Sequence, residues 1–192
     1  MQFNFKTQPY QHQQEVFDAS WNSKSWALFL EMGTGKTKVT IDTIAKLYCE
    51  GEINAAVVIA PKGVYGNWVA KEIPLHMPDD VPSAVVLWQP NLTQKFKAEL
   101  LALRNDTESL KILVMNVEAF SSKKGTDVAK WFVKGNPQCL VAVDESTSIK
   151  NRSAKRTKSI VALGKDAKYR RILTGSPITK NPMDLYAQCA FL

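Results

Sequence analysis

Two glycines, a lysine and a threonine stand close together in EMGTGKT, at residues 31–37. Gly33 and Gly35 would let the backbone approach an anion closely, so that the N–H groups of the loop point at it. In such a loop Lys36 would reach the β- and γ-phosphates of a nucleotide, and the Thr37 hydroxyl would ligate magnesium. These residue types at this spacing predict a nucleotide site, with a surface turn as the alternative.

An acidic pair, Asp144–Glu145, ends the hydrophobic run CLVAV later in the chain. Asp144 could hold magnesium through water, and Glu145 could polarise an attacking water. Adjacent carboxylates at a strand end can take these two roles because their side chains point in different directions. An isolated pair is most often a cap or a solvated turn, but together with the glycine-rich loop it indicates phosphate chemistry.

The elements that must position these residues are visible as apolar runs alternating with helix-like stretches. Most runs are continuously apolar, as expected of strands covered on both faces. The alternation predicts an α/β fold, with a mainly parallel sheet sandwiched between helices and with ligands bound beyond the carboxyl ends of the strands. The predicted strands are 26–30, 55–60, 83–88, 110–116, 139–145 and 169–175, and the predicted helices are 9–21, 36–50, 64–76, 92–104, 124–134 and 151–163.

Composition narrows the class of protein. Apolar residues make up 45% and charged residues 22%, as in an ordinary globular domain, and we expect one domain over 1–192 and no membrane partner. The three cysteines are odd in number and far apart, and there are only two histidines, which argues against a disulfide framework or a His/Cys metal site. We expect a reducing, cytoplasmic setting, and the compact size suits a prokaryotic or phage protein.

The net charge of +7 is concentrated in the last part of the sequence. Up to Ile149 there are 15 Lys/Arg against 16 Asp/Glu, whereas from Lys150 onward there are 10 against 2. Such a stretch is either a solvated helix face or a surface directed at phosphates, and charge alone leaves both open. Apart from Lys180, the basic residues of this stretch are Lys150, Arg152, Lys155, Arg156, Lys158, Lys165, Lys168, Arg170 and Arg171.

Six motifs, in order along nearly the whole chain, resemble those of the superfamily-two helicases and, within them, the Swi/Snf-like DNA translocases. EMGTGKT is similar to motif I, DESTSIKN (144–151) to the extended motif II, and LTGSPI (173–178) to motif III. The glutamine motif resembles PYQHQQEVF, motif Ia resembles VVIAPKGVYGNW, which ends at Trp68, and motif Ib resembles LVMNVEAF. This resemblance implies a RecA-like P-loop NTPase domain, the first, ATP-binding lobe of such an enzyme, with Trp68 as a packing residue.

The resemblance also implies roles for individual residues. Those expected to bind ATP are Gln11, Gly33, Thr34, Gly35, Lys36 and Thr37. Gln11 is the preferred adenine reader because it directly follows Pro9–Tyr10, and Gln13 is the second candidate. The expected catalytic residues are Lys36, Asp144 and Glu145, the expected magnesium ligands are Thr37 and Asp144, and the expected coupling residues are Thr174 and Ser176.

Contacts to DNA are implied by motifs Ia and Ib and by the segment after motif II. The residues at those positions are Lys62, Ser121, Lys150 and Arg152. Contacts of this kind go to the sugar–phosphate backbone, so they would be independent of sequence and weakened by salt.

Some positions depart from the family pattern. Leu30 occupies the first glycine position of motif I, and Ser146–Thr147 stand where alanine and histidine are commonest. Ser176 replaces the usual threonine of motif III but keeps its hydroxyl, and Lys180 stands where asparagine is frequent. The roles of the histidine and the asparagine are therefore not transferred to this chain.

The function implied is ATP-driven translocation on double-stranded DNA, with ATP and Mg²⁺ as cofactors. Family members also have a second RecA-like lobe that supplies arginines to the γ-phosphate, and this sequence ends at Leu192, soon after motif III. We therefore expect the chain to bind ATP–Mg²⁺ but to hydrolyse it slowly without a second lobe in cis or in trans. The alternative is a nucleotide-binding interaction module without motor activity, and a phosphotransferase is disfavoured by motifs II and III.

Overall fold

Six parallel strands form one sheet in the computed structural model, which describes residues 1–192. The strands are β1 (Ser25–Phe29), β2 (Ala55–Ala60), β3 (Ser83–Leu87), β4 (Leu110–Asn116), β5 (Cys139–Asp144) and β6 (Tyr169–Thr174). Their order across the sheet is β1-β6-β5-β2-β4-β3, and every neighbouring pair is parallel. Each predicted strand is confirmed to within one residue at either end, because burial of both sheet faces requires continuous apolar runs.

Helices cover both faces of this sheet. They are α1 (Gln11–Ser20), α2 (Lys36–Cys49), α3 (Tyr65–Asn67), α4 (Ile73–His76), α5 (Gln94–Asn105), α6 (Lys123–Lys134), α7 (Lys155–Lys165) and α8 (Asp184–Phe191). Short 3₁₀ turns lie at Val117–Ser121 and Ser146–Ile149. The predicted α/β fold, a mainly parallel sheet sandwiched between helices, is confirmed.

Alternate residues of the central strands enter two separate hydrophobic cores. On β2, Val57 and Ile59 pack into a core shared with α5, α6 and α7, whereas Ala56 and Val58 pack into a core shared with α1 and α2. The residues of the central strands β2, β4 and β5 that form these cores are at most a few per cent exposed. The sheet is thus held from both sides, which fixes the positions of the loops at its edge.

Two helix predictions differ from the structure. The helix predicted over 151–163 begins only at Lys155, because the Asn151 side chain accepts a hydrogen bond from the Ser153 N–H and forms a turn there. Helix α8 was not predicted. It is short, and the segment before it contains prolines and a lysine, which gave no helical pattern. It packs against α7 and adds Phe191 to the core that α5, α6 and α7 share.

The helix predicted over 64–76 is interrupted. Between α3 and α4 the residues Trp68–Glu72 form a π-helical turn, in which each hydrogen bond spans one residue more than in an α-helix. Pro74, two residues after this turn, lacks the N–H that a regular α-helical ladder would use, which favours the wider turn before it. This turn sets the direction of the Trp68 side chain.

The order of the strands brings the sequence motifs to one edge of the sheet. Because β6 lies between β1 and β5, the segments that follow these three strands are neighbours at their carboxyl ends. The glycine-rich loop follows β1, the segment LTGSPI includes the end of β6, and the acidic pair ends β5. None of the helices is long and apolar enough to cross a membrane.

Candidate functional site

The glycine-rich loop connects β1 to α2 and folds back on its own lysine. Gly33 (φ 78°) and Gly35 (φ 90°) both lie in the left-handed region, where a Cβ would be strained. The Lys36 ammonium, 7% exposed, donates hydrogen bonds of 2.9 Å to the carbonyls of Leu30 and Glu31. The loop therefore holds a buried cation at the beginning of a helix, where backbone N–H groups are also free to bind an anion.

A glutamine from α1 packs directly against this loop. The Gln13 side chain, 6% exposed, donates from Nε2 to the Thr34 carbonyl at 3.0 Å and accepts at Oε1 from the Tyr10 N–H at 3.0 Å. A Cβ built on Gly35 would lie 2.2 Å from Gln13 Nε2, so the loop and the glutamine fit only because residue 35 is a glycine.

The structure places Gln13, the second candidate, at the loop and Gln11 away from it, while the adenine contact itself stays a prediction. The Gln11 side chain is exposed and donates to Glu15 on its own helix, at 2.9 Å, rather than to the loop. The preference rested on adjacency to Pro9–Tyr10, but the face of α1 that meets the loop is the one that carries Gln13. Of the two glutamines, the structure brings only Gln13 to the site.

The acidic pair has an unusual backbone. Glu145 has φ 46° and ψ 60°, the only non-glycine residue of the chain in the left-handed region. Asp144 is 8% exposed, and both of its oxygens accept hydrogen bonds: Oδ1 from the Glu145 N–H and Oδ2 from the Trp68 indole Nε1, each at 2.9 Å. Strained backbone of this kind persists where the surrounding structure enforces it, which is common at functional sites.

Burial also shifts the acidity of the pair. Loss of solvation raises the pKa of Asp144, although the hydrogen bonds from Trp68 and from the Glu145 N–H and the charge of Lys36 oppose the shift. Loss of solvation also raises the pKa of Glu145, and the neighbouring Asp144 charge adds to it. Both carboxyls are therefore held in surroundings that favour a compensating positive charge.

A cavity of about 500 Å³ joins the loop to the acidic pair. Its walls include Gly33, Gly35, Lys36, Thr37, Trp68, Asp144 and Glu145. The donor set suits magnesium, which prefers oxygen ligands, because the Thr37 hydroxyl and the Asp144 carboxylate open into the same space. It also suits a polyphosphate, because Gly33, Gly35 and the cationic Lys36 line the same cavity. The residues present thus fit a nucleotide with its metal.

The two residues expected to couple the site to movement lie between the loop and the acidic pair. Thr174, at the end of β6, is buried, and its Oγ1 accepts a hydrogen bond of 3.2 Å from the Ser176 N–H. Ser176 itself is exposed. Gly175 between them lies close to the loop, since a Cβ there would be 3.3 Å from the Met32 nitrogen.

A buried glutamine on α8, which the sequence did not point to, links the two motifs. Gln188 is fully buried, and its Oε1 accepts a 2.6 Å hydrogen bond from the Ser146 hydroxyl. Its Nε2 donates to the carbonyls of Pro177 and Asp184, both at 2.8 Å. Motif II is thereby connected to the segment after β6 through one side chain.

The residues predicted to contact DNA fall into two groups at the same sheet edge. Lys62 lines a second cavity, of about 420 Å³, together with Ser122 and Lys124, and Ser121 is exposed at the end of a 3₁₀ turn beside it. Lys150 contacts the Thr179 hydroxyl, and Arg152 lies over the Tyr186 ring at 5.6 Å. These two contacts orient Lys150 and Arg152 toward the segment around α8.

The basic stretch is not one continuous surface. Arg171 is 1% exposed and donates to the carbonyls of Ser20 and Trp21, so its charge supports the packing of α1 against β6. Lys168 pairs with Glu52 at 3.0 Å, at the amino ends of the strands and away from the cavity. Neither residue belongs to a phosphate-facing surface, because Arg171 lies within β6 and Lys168 lies directly before it.

Comparison with known proteins agrees with this geometry. The profile of the SNF2-related domain matches residues 10–192. The chain is 31% identical over 164 residues to the ISWI chromatin-remodeling complex ATPase CHR17 of Arabidopsis thaliana, covering 84% of this chain and 14% of that protein. It is 28% identical over 163 residues to Helicase SWR1 of Mycosarcoma maydis, covering 84% of this chain and 8% of that protein. The chain thus spans a small part of these relatives.

Solved structures show the same fold. The Sulfolobus solfataricus SWI2/SNF2 ATPase core in complex with dsDNA superposes with a TM-score of 0.75 at 24% identity, over 99% of this chain and 36% of that chain. The ATPase core domain from the same organism gives a TM-score of 0.65 at 24% identity. The predicted RecA-like fold and the predicted resemblance to Swi/Snf-like helicases are confirmed. Since one family profile covers nearly all of its residues, this chain belongs to the SNF2-related domain family.

Proposed function

We propose that the chain is the ATP-binding lobe of an ATP-dependent DNA translocase. The observation that carries this proposal is the cavity in which Lys36 and Thr37 face Asp144 and Glu145. The names of its relatives, an ATPase and a helicase among them, support an ATP-dependent enzyme of this general kind. We further propose that the enzyme moves on DNA and that the metal it binds is Mg²⁺.

The loop would bind the phosphates. Lys36 would exchange the carbonyls of Leu30 and Glu31 for phosphate oxygens, and the N–H groups around Gly33 and Gly35 would complete the cradle. The Gln13 amide already contacts Thr34 from the side of α1. We therefore propose Gln13 in place of Gln11 as the adenine reader.

The two residues of the acidic pair would have different roles, one binding the metal and the other the attacking water. Thr37 and Asp144 would hold Mg²⁺, which neutralises charge on the phosphates when it is bound. Glu145 would orient the attacking water and accept its proton, and its raised pKa brings it closer to the range of an effective general base. Both carboxylates line the cavity, and we propose that they act there on different atoms.

Turnover by this chain alone should be slow. None of the residues that line the cavity is an arginine, and an arginine that reaches the γ-phosphate contributes roughly 10³–10⁵ to the rate in enzymes of this type. We propose that the missing arginines come from a second RecA-like lobe, in cis or in trans. The same observation favours the alternative, a nucleotide-binding interaction module without motor activity.

Lys36→Ala tests the nucleotide site. The variant should lose most of its affinity for a fluorescent ATP analogue because the loop then offers no side-chain cation to the phosphates. Lys46→Ala is the matched control and should bind like the parent chain, because Lys46 is a half-buried lysine on the same helix that pairs with Glu50 and does not line the cavity. Equal binding by both variants, with the circular dichroism spectrum unchanged, would contradict the assignment.

Nucleic-acid binding distinguishes the motor from the interaction module. We propose that the chain binds duplex DNA through Lys62, Ser121, Lys150 and Arg152, in line with the dsDNA named for the Sulfolobus structure. Removing Lys150 and Arg152 together should weaken binding uniformly across sequences and flatten its salt dependence by about one unit of slope for each lost phosphate contact. Lys165→Ala, at the last residue of α7, should leave both the affinity for DNA and its salt dependence unchanged.

ATPase measurements complete this test. If the chain belongs to a translocase, duplex DNA together with a supplied second lobe should raise hydrolysis by orders of magnitude. Nucleotide binding with no such stimulation, and with no salt-dependent DNA association, would favour the interaction module.

A further inference from the structure

One aromatic side chain touches the acidic pair although the sequence suggested only a packing role for it. Trp68 is 2% exposed, and its indole N–H donates to Asp144 Oδ2 at 2.9 Å. The two residues come from different parts of the fold: Trp68 from the π-helical turn after β2, and Asp144 from the end of β5. The contact therefore depends on the tertiary structure and not on sequence proximity.

The choice of partner is informative. A buried indole N–H needs one acceptor, and a backbone carbonyl would satisfy it equally well. Here the acceptor is the carboxylate that opens into the nucleotide cavity, and Trp68 lines the same cavity. Together with the Glu145 N–H on Oδ1, the indole fixes both oxygens of Asp144 and so fixes the orientation of the carboxylate.

The local helix geometry serves this contact. Successive residues of an α-helix are rotated by about 100°, so the one-residue extension of the turn at Trp68–Glu72 changes the direction of Trp68 relative to α4. Helical irregularities of this type occur frequently at functional sites. The π-helical turn thus aims Trp68 at β5.

We propose that Trp68 is a positioning residue for the metal site, holding the carboxylate of Asp144 in a fixed orientation in the cavity that Thr37 also lines. This inference rests on the proposed function, because it assigns Asp144 to magnesium. Groups that orient metal ligands in this way typically contribute 10–100-fold to metal affinity.

The experiment replaces Trp68 by 3-benzothienylalanine, which keeps the bicyclic shape and lacks the N–H. Affinity for a fluorescent ATP analogue is measured across a Mg²⁺ titration and again in EDTA, and Mn²⁺ binding in the presence of nucleotide is followed by electron paramagnetic resonance. We expect Mg²⁺-dependent affinity and Mn²⁺ affinity to fall by at least tenfold, with the EDTA value unchanged.

Trp68→Phe and Trp88→Phe extend the comparison. Trp88 is also buried, at 3% exposure, but its ring packs edge-on against Phe96 and does not line the nucleotide cavity, so Trp88→Phe should leave the metal dependence unchanged. Trp68→Phe should reproduce the loss given by benzothienylalanine, whatever it does to stability in urea unfolding.

Two results would overturn the inference, and they differ from failure of the proposed function. Parental metal affinity in the benzothienylalanine variant, or an equal loss with Mg²⁺ and with EDTA, would show that Trp68 acts by packing alone. If the parent chain itself shows no metal-dependent nucleotide binding, the proposed function fails, and the role of Trp68 fails with it.

Discussion

At Gly35 two separate requirements meet at one residue. Its φ of 90° excludes side chains on conformational grounds, and the Gln13 amide occupies the space that a Cβ would need. Gly51 at the end of α2 has a similar φ of 72° but open space around it. The two glycines therefore separate the effect of backbone strain from the effect of a clash.

Gly35→Ala should destabilise the fold more than Gly51→Ala does. Backbone strain alone is expected to cost about 1 kcal/mol in each variant, and the clash with Gln13 adds to this only at position 35. The free energies of unfolding in urea measure both. A Gly35→Ala, Gln13→Ala double variant should recover part of the difference, and equal destabilisation by the two single variants would contradict the steric argument.

Glu145 stores strain at the site of its proposed chemistry. Because a non-glycine residue in the left-handed region costs of order 1–3 kcal/mol, Glu145→Gly should be more stable than Glu145→Ala by about 1 kcal/mol, while both lose hydrolysis. Urea unfolding of the pair measures this difference. At Glu99, inside α5, the order should reverse, with glycine about 1 kcal/mol less stable than alanine. If the glycine variant were less stable than the alanine variant at both positions, backbone strain at Glu145 would be ruled out.

At the scale of elements, α8 is attached to the site by Gln188. Ser146 and Gln188 are both fully buried, so neither can turn to water when its partner is removed. A buried polar group left without a partner typically destabilises by about 1–3 kcal/mol, whereas apolar replacement of both partners can be close to neutral. The energy of this pair is therefore expected to be strongly non-additive.

A double-mutant cycle measures the coupling. Ser146→Ala and Gln188→Leu should each destabilise the fold, and the second substitution should cost less in the presence of the first, with a coupling energy of about 1 kcal/mol. Ser146→Ala combined with Ser20→Ala, whose hydroxyl bonds within α1, should be additive within about 0.5 kcal/mol. Additivity of the first pair would indicate that α8 is not coupled to motif II in this way.

An element could be predicted from the sequence when the residues that determine it are neighbours in the sequence. The strands were predicted almost to the residue because their apolar runs are local and continuous. The π-helical turn at Trp68–Glu72 could not be predicted, since it depends on Pro74 together with a partner on β5, distant in sequence. The same reason applies to Gln13 and Gln188, whose importance comes from the elements they face.

In the whole molecule, the nucleotide cavity and a cluster of charged residues lie at opposite ends of the strands. The cavity lies at the carboxyl ends of the strands, whereas Lys24, Glu52 and Lys168 stand just before β1, β2 and β6, at the amino ends. The Glu52 carboxylate accepts from the Tyr169 hydroxyl at 2.8 Å and pairs with Lys168 at 3.0 Å and Lys24 at 3.6 Å. This cluster connects three strand beginnings.

The cluster should make stability depend on pH in a defined window. The hydrogen bonds from Lys168 and Tyr169 lower the pKa of Glu52 from 4.5 to about 2, so its stabilising effect is present above 4.5 and is lost as the pH falls toward 2. Glu52→Gln should lower the melting temperature at pH 7, and the gap to the parent should narrow below pH 4.5. Glu99→Gln, which removes no ion pair, should give no such gap, and a gap for Glu52→Gln that is constant with pH would contradict the mechanism.

The π-helical turn has a consequence for the gene as well as for the protein. Because the turn at Trp68–Glu72 contains one residue more than an α-helical turn, loss of a single codon there would leave a segment able to form a regular helix. The helix would survive, but the residues before the deletion would turn by about 100° relative to those after it, carrying the Trp68 indole away from β5. A library of one-codon deletions should therefore contain folded variants with weakened Mg²⁺-dependent nucleotide binding at these positions, a class that substitution libraries do not sample.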